Sequence, residues 1–378
     1  MCRLFAITSN DPISPMVAIR ALNVMKEGHD GSGVGLFLTD LGGEFEQFRG
    51  GPILSGIFSH EGIKTLDRYM LDMDFMTKYK LSFRPTKSQN PPAGTPKRDN
   101  YLLRVYEYPP AWDNLSKEEI QERLMQCRLH LRKMGEKDGS MSVFSFWPDV
   151  IMIKEVGDPM AVAEYLGLNR PELQARTIMA QGRQNTNYSI DIYACHPFFI
   201  QGIATMTNGE NTAFVPIREF LMSRKEPGYV GYASDSETFT HILHYAQKHL
   251  NLDLETYKHI ITPLKDSELQ KHPDGQWLRM LKQSCRPMII DGPNCVMGCL
   301  PDKTLFMLHD SKKLRPGVAG GTPGMFAFSS EMCGLDAAIP KRDKSRDYQP
   351  MKYDTVFVGP KRQEVERWNQ MDSLSHLH

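Results

Sequence analysis

The sequence predicts an α+β fold built on mainly antiparallel strands, and three observations carry the prediction. Short apolar runs bounded by turn residues recur after residue 140: SVFSFW (142–147), VIMIKE (150–155), GIATMT (202–207), PMIID (287–291), CVMGCL (295–300), TLFML (304–308) and MFAFS (325–329). Helical periodicity covers separate stretches at 116–135, 159–166, 213–223, 236–250 and 276–284. The two kinds of element do not alternate as a doubly wound parallel sheet demands, so a layered α+β architecture with two sheets is expected.

Taken in order, residues 3–8 read as a short buried strand. Ser14 can cap the helix that follows, Pro15 suits its first position and Gly28 ends it. GSGVGLFLTD (31–40) is a glycine-rich turn entering a strand. The pattern degrades between 59 and 115, and SFRPTKSQNPPAGTPKRDN (82–100) reads as a solvated loop. Ser116 and Glu119 then have capping-box spacing, and Ile120, Leu124, Cys127, Leu131 and Met134 recur on one face of the helix they open. No internal repeat is present. One domain is expected over 1–340, with an insertion around 59–135. Residues 341–378 form a tail in which DTVFV (354–358) adds a late strand.

Composition narrows the function classes. Lys+Arg and Asp+Glu number 45 each, so charge gives no reason to expect nucleic acid or an anionic membrane as partner. No apolar run nears the roughly 18 residues of a membrane span. Thr8, Ser9, Asn10 and Asp11 cut short any leader-like stretch, which makes the cytoplasm the expected compartment. The cysteines, at 2, 127, 195, 285, 295, 299 and 333, are odd in number and irregularly spaced, as suits reduced thiols. Cys295 and Cys299 form a lone C-x3-C without a second ligand pair, so two strand cysteines and no metal site are expected.

Cys2 stands directly behind the initiator methionine. It is either a small apolar residue opening a buried strand or, once Met1 is removed, a terminus carrying a thiol and an α-amine together. Four later stretches bear on that choice: QGRQNTN (181–187), CHPF (195–198), TNGEN (207–211) and ASDSE (233–237). Each has an ordinary explanation by itself. Arg183 suits a surface charge, Asn208-Gly209 a turn, and Asp235 a helix N-cap. Their order distinguishes them. A leading Cys, then GHDGSG, G-R-x-x-T, H-P-F, N-G-E and S-D-S-E, resembles the class II glutamine amidotransferases of the N-terminal nucleophile hydrolase superfamily. MIIDGPNCVMGC (288–299), LHDSKKLRPG (308–317) and SSE (329–331) look like segments of glutamate synthase. They place the resemblance nearest its amidotransferase domain and related free-standing subunits, including those of the N-methylglutamate synthase type.

The resemblance implies a four-layer αββα sandwich of two mainly antiparallel sheets. It implies that Cys2, with Met1 removed, attacks the side-chain amide of glutamine, forms a glutamyl thioester, and releases glutamate and ammonia. Asn208 and the backbone N–H of Gly209 match the family's oxyanion hole. Arg183 matches the arginine on the substrate α-carboxylate, Thr186 the threonine beside it, Asp235 the carboxylate on the α-ammonium, and His196 a supporting residue. The sequence has no GxGxxG, P-loop or iron–sulfur cysteine cluster. The ammonia acceptor is therefore expected on a partner polypeptide, a glutamate-synthase-like flavoprotein subunit. Any flavin or iron–sulfur cluster would sit there, with no cofactor in this chain. Two positions depart from the pattern: Glu27 stands where many members have arginine, and Thr207 where many have histidine. They leave a catalytically degenerate regulatory subunit as one alternative; an N-terminal nucleophile amidase acting on another amide is a second.

These residue types fit the chemistry. A thiol is intrinsically nucleophilic but, with a pKa of about 8.5, mostly protonated at neutrality. An α-amine titrates near about 7.7–8.0 and can take that proton. A side-chain amide and a backbone N–H beside a glycine give preorganised donors to an oxyanion. A guanidinium and a carboxylate together select a substrate with a carboxylate and an ammonium on one carbon.

Overall fold

The computed structural model describes residues 2–25, 30–83, 100–184, 191–229, 231 and 234–375. The chain forms two compact units, the first made of Met1–Thr8 with Phe198–His378, the second of Ser9–Pro197. Strand β1 (Arg3–Ile13) straddles that division and runs well past the strand expected at 3–8. Helix α1 (Met16–Val24) follows; Pro15 is its N-cap, and Ser14 Oγ accepts from Met16 N at 3.3 Å. Gly28, its expected end, lies outside the described residues.

Next come β2 (Gly33–Gly42), entered from the GSG turn, and β3 (Pro52–Phe58). The stretch where the sequence pattern degrades is regular after all. Helix α2 (His60–Asp72) is capped by Ser59, whose Oγ accepts from Gly62 N at 3.1 Å. Strands β4 (Met76–Phe83) and β5 (Asn100–Glu107) then take both ends of the loop expected at 82–100, which corrects that reading; 84–99 lie outside the described residues. β4 is an edge strand and mostly exposed, so it lacks the apolar alternation by which strands are recognised. Helix α3 (Lys117–Asp138) carries the expected capping box: Ser116 Oγ accepts from Glu119 N at 3.2 Å, and Glu119 Oε2 from Ser116 N at 2.8 Å. Leu124, Cys127 and Leu131 of the predicted face are buried. The second unit closes with β6 (Met141–Pro148), β7 (Val150–Glu155), α4 (Pro159–Leu166) and β8 (Gln174–Arg183).

The first unit resumes with β9 (Phe198–Ile200), β10 (Ile203–Gly209), α5 (Phe214–Ser223), α6 (Glu237–His249), α7 (Leu254–Ile261), α8 (Asp266–Leu269) and α9 (Gly275–Ser284). PMIID forms no strand; Arg286–Met288 is one 3-10 turn, with Pro287 inside it. The remaining elements are β11 (Asn294–Cys299), β12 (Leu305–His309), β13 (Val318–Thr322), β14 (Met325–Ser329), α10 (Met332–Ala338), β15 (Asp354–Val358) and β16 (Glu366–Asn369). β15 is the late strand read from DTVFV.

Within the first unit, six strands lie in the order β16-β15-β12-β11-β10-β9, every neighbouring pair antiparallel. Helices α5, α6 and α7 supply Ile217, Leu221, Phe239, Leu243 and Tyr257 to one core with Ile203, Val296 and Phe306 of that sheet. The opening of β1 is pinned beside β14: Leu4 N donates to Ser330 Oγ at 2.9 Å, and Ser330 N to Leu4 O at 2.9 Å. In the second unit β2 lies between β8 and β7, antiparallel to both. A further sheet there, β4-β5-β3-β6, is antiparallel throughout and takes two of its strands from the 59–135 insertion. Phe75, Tyr106, Trp112 and Phe146 meet edge to face beneath it, with centroids 5.2–6.0 Å apart.

Candidate active site

In the first unit, a ladder of hydroxyls joins β10 to α6. Thr205 and Thr240 share a hydrogen bond of 2.6 Å, and Thr207 Oγ1 donates to Ser236 Oγ at 2.6 Å. Thr207 thus braces the strand where a histidine is usual in the family it resembles; Glu27, the other departure, lies outside the described residues. Side chains alternate along a strand, so with Thr205 and Thr207 turned to α6, Asn208 points to the opposite face. It is 1% exposed, and its Nδ2 has no hydrogen-bond acceptor. Leaving such a donor buried and unmet costs about 1–3 kcal/mol.

Gly209 follows, half-buried, where the chain passes close to a neighbour: a Cβ there would lie 2.1 Å from Pro293 O. No other residue fits without moving backbone. Asp235 is buried and does not cap α6, whose N-cap is Ser236 without a side-chain bond. Its Oδ2 instead accepts from Asn211 N at 2.7 Å, tying the carboxylate to the loop that leaves Gly209. Burial raises the Asp235 pKa, and Glu210 nearby adds to this, while N–H donors from Asn211 and Ser236 oppose it. Cys2, half-buried, belongs to the same unit, directly ahead of β1.

In the second unit, Arg183 is the last residue of β8, pairs in register with Gly33 and is buried at 4% exposure. His196 is also buried, and its backbone N donates to Gln181 Oε1 at 2.8 Å. Burial holds the His196 pKa well below the usual value, and the charges of Arg183 and Lys154 push the same way. It is a neutral imidazole near neutrality, suited to support rather than to carrying charge. Thr186 lies outside the described residues.

The glycines of GSGVG make room for this arrangement: a Cβ on Gly35 would fall 1.6 Å from His196 O. Gly35→Ala is therefore expected to cost about 3 kcal/mol or more, by forcing two backbones apart. Urea unfolding reads this directly, and an unshifted midpoint would show that the close approach is not needed.

Sequence reasoning missed two neighbours of Asn208. Asn208 pairs with Cys295, and Cys295 with His309, so the three side chains share one face of the sheet. Burial pushes the Cys295 thiol up to about 12 and the His309 imidazole down to about 3, so both are uncharged. Asp310 accepts from Asn294 N, Lys312 N and Leu314 N at 2.9, 2.8 and 3.2 Å, which shapes the LHDSKKLRPG segment. Cys299 lies four residues along the same strand, about 13 Å at about 3.3 Å per residue, too far to share an ion with Cys295. No cysteine is in a disulfide. Among the described residues, no helix is long and apolar enough to cross a membrane.

No family profile matches the chain, and no curated protein does. Solved structures do. The structure titled as the allosteric regulatory enzyme of purine biosynthesis matches with a TM-score of 0.50 at 11% identity, over 97% of this chain and 49% of that one. Glutamine phosphoribosylpyrophosphate amidotransferase from B. subtilis, complexed with ADP and GMP, matches at 0.48 and 11%, over 97% and 49%. A glutamine aminotransferase class-II domain protein from Silicibacter pomeroyi matches at 0.34 and 12%, over 58% and 85%. The chain spans about half the length of the first two. At these identities likeness speaks of fold alone, and the match at 0.50 carries it: the chain shares the fold of that enzyme, an α+β arrangement of mainly antiparallel sheets.

Proposed function

We infer that this chain is a glutamine amidotransferase subunit, with Cys2 as nucleophile. The observation that carries the reading is the buried, unmet Nδ2 of Asn208, followed by a glycine that the backbone requires, on a loop held by the Asp235 carboxylate. A donor kept dry and unpaired is what a developing oxyanion needs, and it is costly otherwise.

In the reaction, the Cys2 α-amine takes the thiol proton once Met1 is removed. The sulfur then bonds to the amide carbon of glutamine, and Asn208 Nδ2 and Gly209 N–H donate to the resulting oxyanion. The C–N bond breaks as the proton passes to departing ammonia, leaving a glutamyl thioester. Water cleaves the thioester to give glutamate and restore the thiol. Arg183 and Thr186 bind the α-carboxylate, Asp235 binds the α-ammonium, and His196 supports them. Ammonia goes to a synthase partner of the glutamate synthase type, which carries any flavin or iron–sulfur cluster.

A panel of amides tests the assignment. Glutamine should be hydrolysed in preference to asparagine and peptide-bound glutamine. Arg183→Ala should raise KM for glutamine by about 10- to 100-fold, since a charge-assisted hydrogen bond contributes about 1.5–3 kcal/mol. Unchanged glutamine kinetics in that variant would remove glutamine as the substrate.

A further inference from the structure

Outside the candidate active site, the first unit gathers three histidines around one buried carboxylate. Glu226 follows α5 and its side chain is 1% exposed. His241 and His244 share a face of α6, and His249 is that helix's last residue. His244 Nδ1 lies 2.6 Å from Glu226 Oε1, and His249 Nε2 lies 3.7 Å from Glu226 Oε2. One ligand atom from each of Glu226, His244 and His249 falls within 4.8 Å of the others.

Two features point to a ligand rather than to a satisfied core. Glu226 Oε2 is buried without a hydrogen-bond donor, and it faces His249. His244 Nε2 meets Gln201 Oε1 at 2.8 Å. A proton on Nε2 satisfies that contact and leaves the Nδ1 lone pair turned to the carboxylate. In that tautomer two electron pairs face each other at 2.6 Å and need a cation, a proton or a metal ion, to bridge them. An imidazole whose far nitrogen donates to an oxygen is the usual arrangement of a metal-bound histidine.

We propose that Glu226, His244 and His249 bind one divalent transition-metal ion, zinc by donor type. Two imidazoles and a carboxylate form a known zinc donor set, which leaves a fourth position for water. His249, half exposed, keeps that position open to solvent. Zinc held at about 2.0–2.2 Å needs its donors about 3.4 Å apart, close to the 3.7 Å between His249 Nε2 and Glu226 Oε2, whereas the 2.6 Å contact of His244 Nδ1 with Oε1 must open to admit the ion. The ion would tie the end of α6 to the segment behind α5, on the helix whose first turn follows Asp235. The proposal does not depend on glutamine being the substrate.

The test uses the full chain, stripped with a chelator and titrated with Zn2+ alone in a calorimeter. A parallel titration with Co2+ reads the ligand-field bands. One ion per chain is expected, with no thiolate charge-transfer band. His249→Ala, at an exposed position, should weaken binding at least tenfold with unchanged circular dichroism. Gln201→Leu should weaken it about 10- to 100-fold through the orienting contact. His60→Ala should leave it unaltered. Equal affinity in His249→Ala, a thiolate band, or no uptake at micromolar zinc would overturn the proposal. The last result would leave a proton as the bridge between His244 and Glu226.

Discussion

Cys2→Ala is expected to lower glutamine hydrolysis by at least about four orders of magnitude, since removal of a covalent nucleophile leaves only binding and the oxyanion donors. The remaining cysteines offer no substitute. Burial pushes the thiols of Cys127, Cys195, Cys285 and Cys295 upward, Cys195 to about 11 and Cys295 to about 12. Cys299 is buried inside β11. Cys333 is half-buried, but burial and the Glu331 carboxylate, which accepts from its Sγ at 3.8 Å, raise it too. A thiol held protonated is a poor nucleophile.

Cys333→Ala should accordingly keep full activity, and it is the control for Cys2→Ala. A glutamine-mimicking electrophile should add once, at Cys2, and intact mass should show Met1 absent from the reactive fraction. An adduct elsewhere, or activity in the alanine variant, would refute the assignment of the nucleophile. Active protein that retains Met1 would refute the amine as its base.

What could be read from the sequence follows from where each signal is written. Helix α3 was legible because its capping box and its apolar face are local. β15 was legible because DTVFV is apolar and short. β4 was not, because an exposed edge strand has no buried face to alternate with. PMIID reads as a strand by hydrophobicity alone, but Pro287 removes a ladder donor and the chain makes a 3-10 turn there.

The site shows the same divide. Asn208-Gly209 and Asp235 were singled out by their order along the chain, yet the bond from Asn211 N to Asp235 joins residues 24 positions apart and no spacing rule announces it. The ordinary reading of Asp235 as an N-cap gives way to Ser236. Cys295 and His309 flank Asn208 only through strand register, and Glu226 meets His244 and His249 only through the packing of α6.

Asn208→Ala should separate function from stability more sharply than any other change in the first unit. A structural asparagine earns its burial through hydrogen bonds, and its loss destabilises. Here Nδ2 is buried without an acceptor, so truncation removes a penalty of about 1–3 kcal/mol while opening a small cavity of comparable cost. The thermal midpoint should stay within about 4 °C of the parent, at about 2–4 °C per kcal/mol for a domain of this size. The kcat for glutamine should fall by about 10²- to 10³-fold, the usual effect of losing one oxyanion donor. KM should hold, because the donor acts on charge that exists only in the transition state. Asn208→Asp keeps the shape but puts an acceptor where the oxyanion forms, so it should be at least as slow as the alanine variant. If both variants kept wild-type kcat, Asn208 would have no part in stabilising the intermediate. If they lost kcat only together with the fold, the unmet amide would be a structural feature, and the inference drawn from its burial would fail.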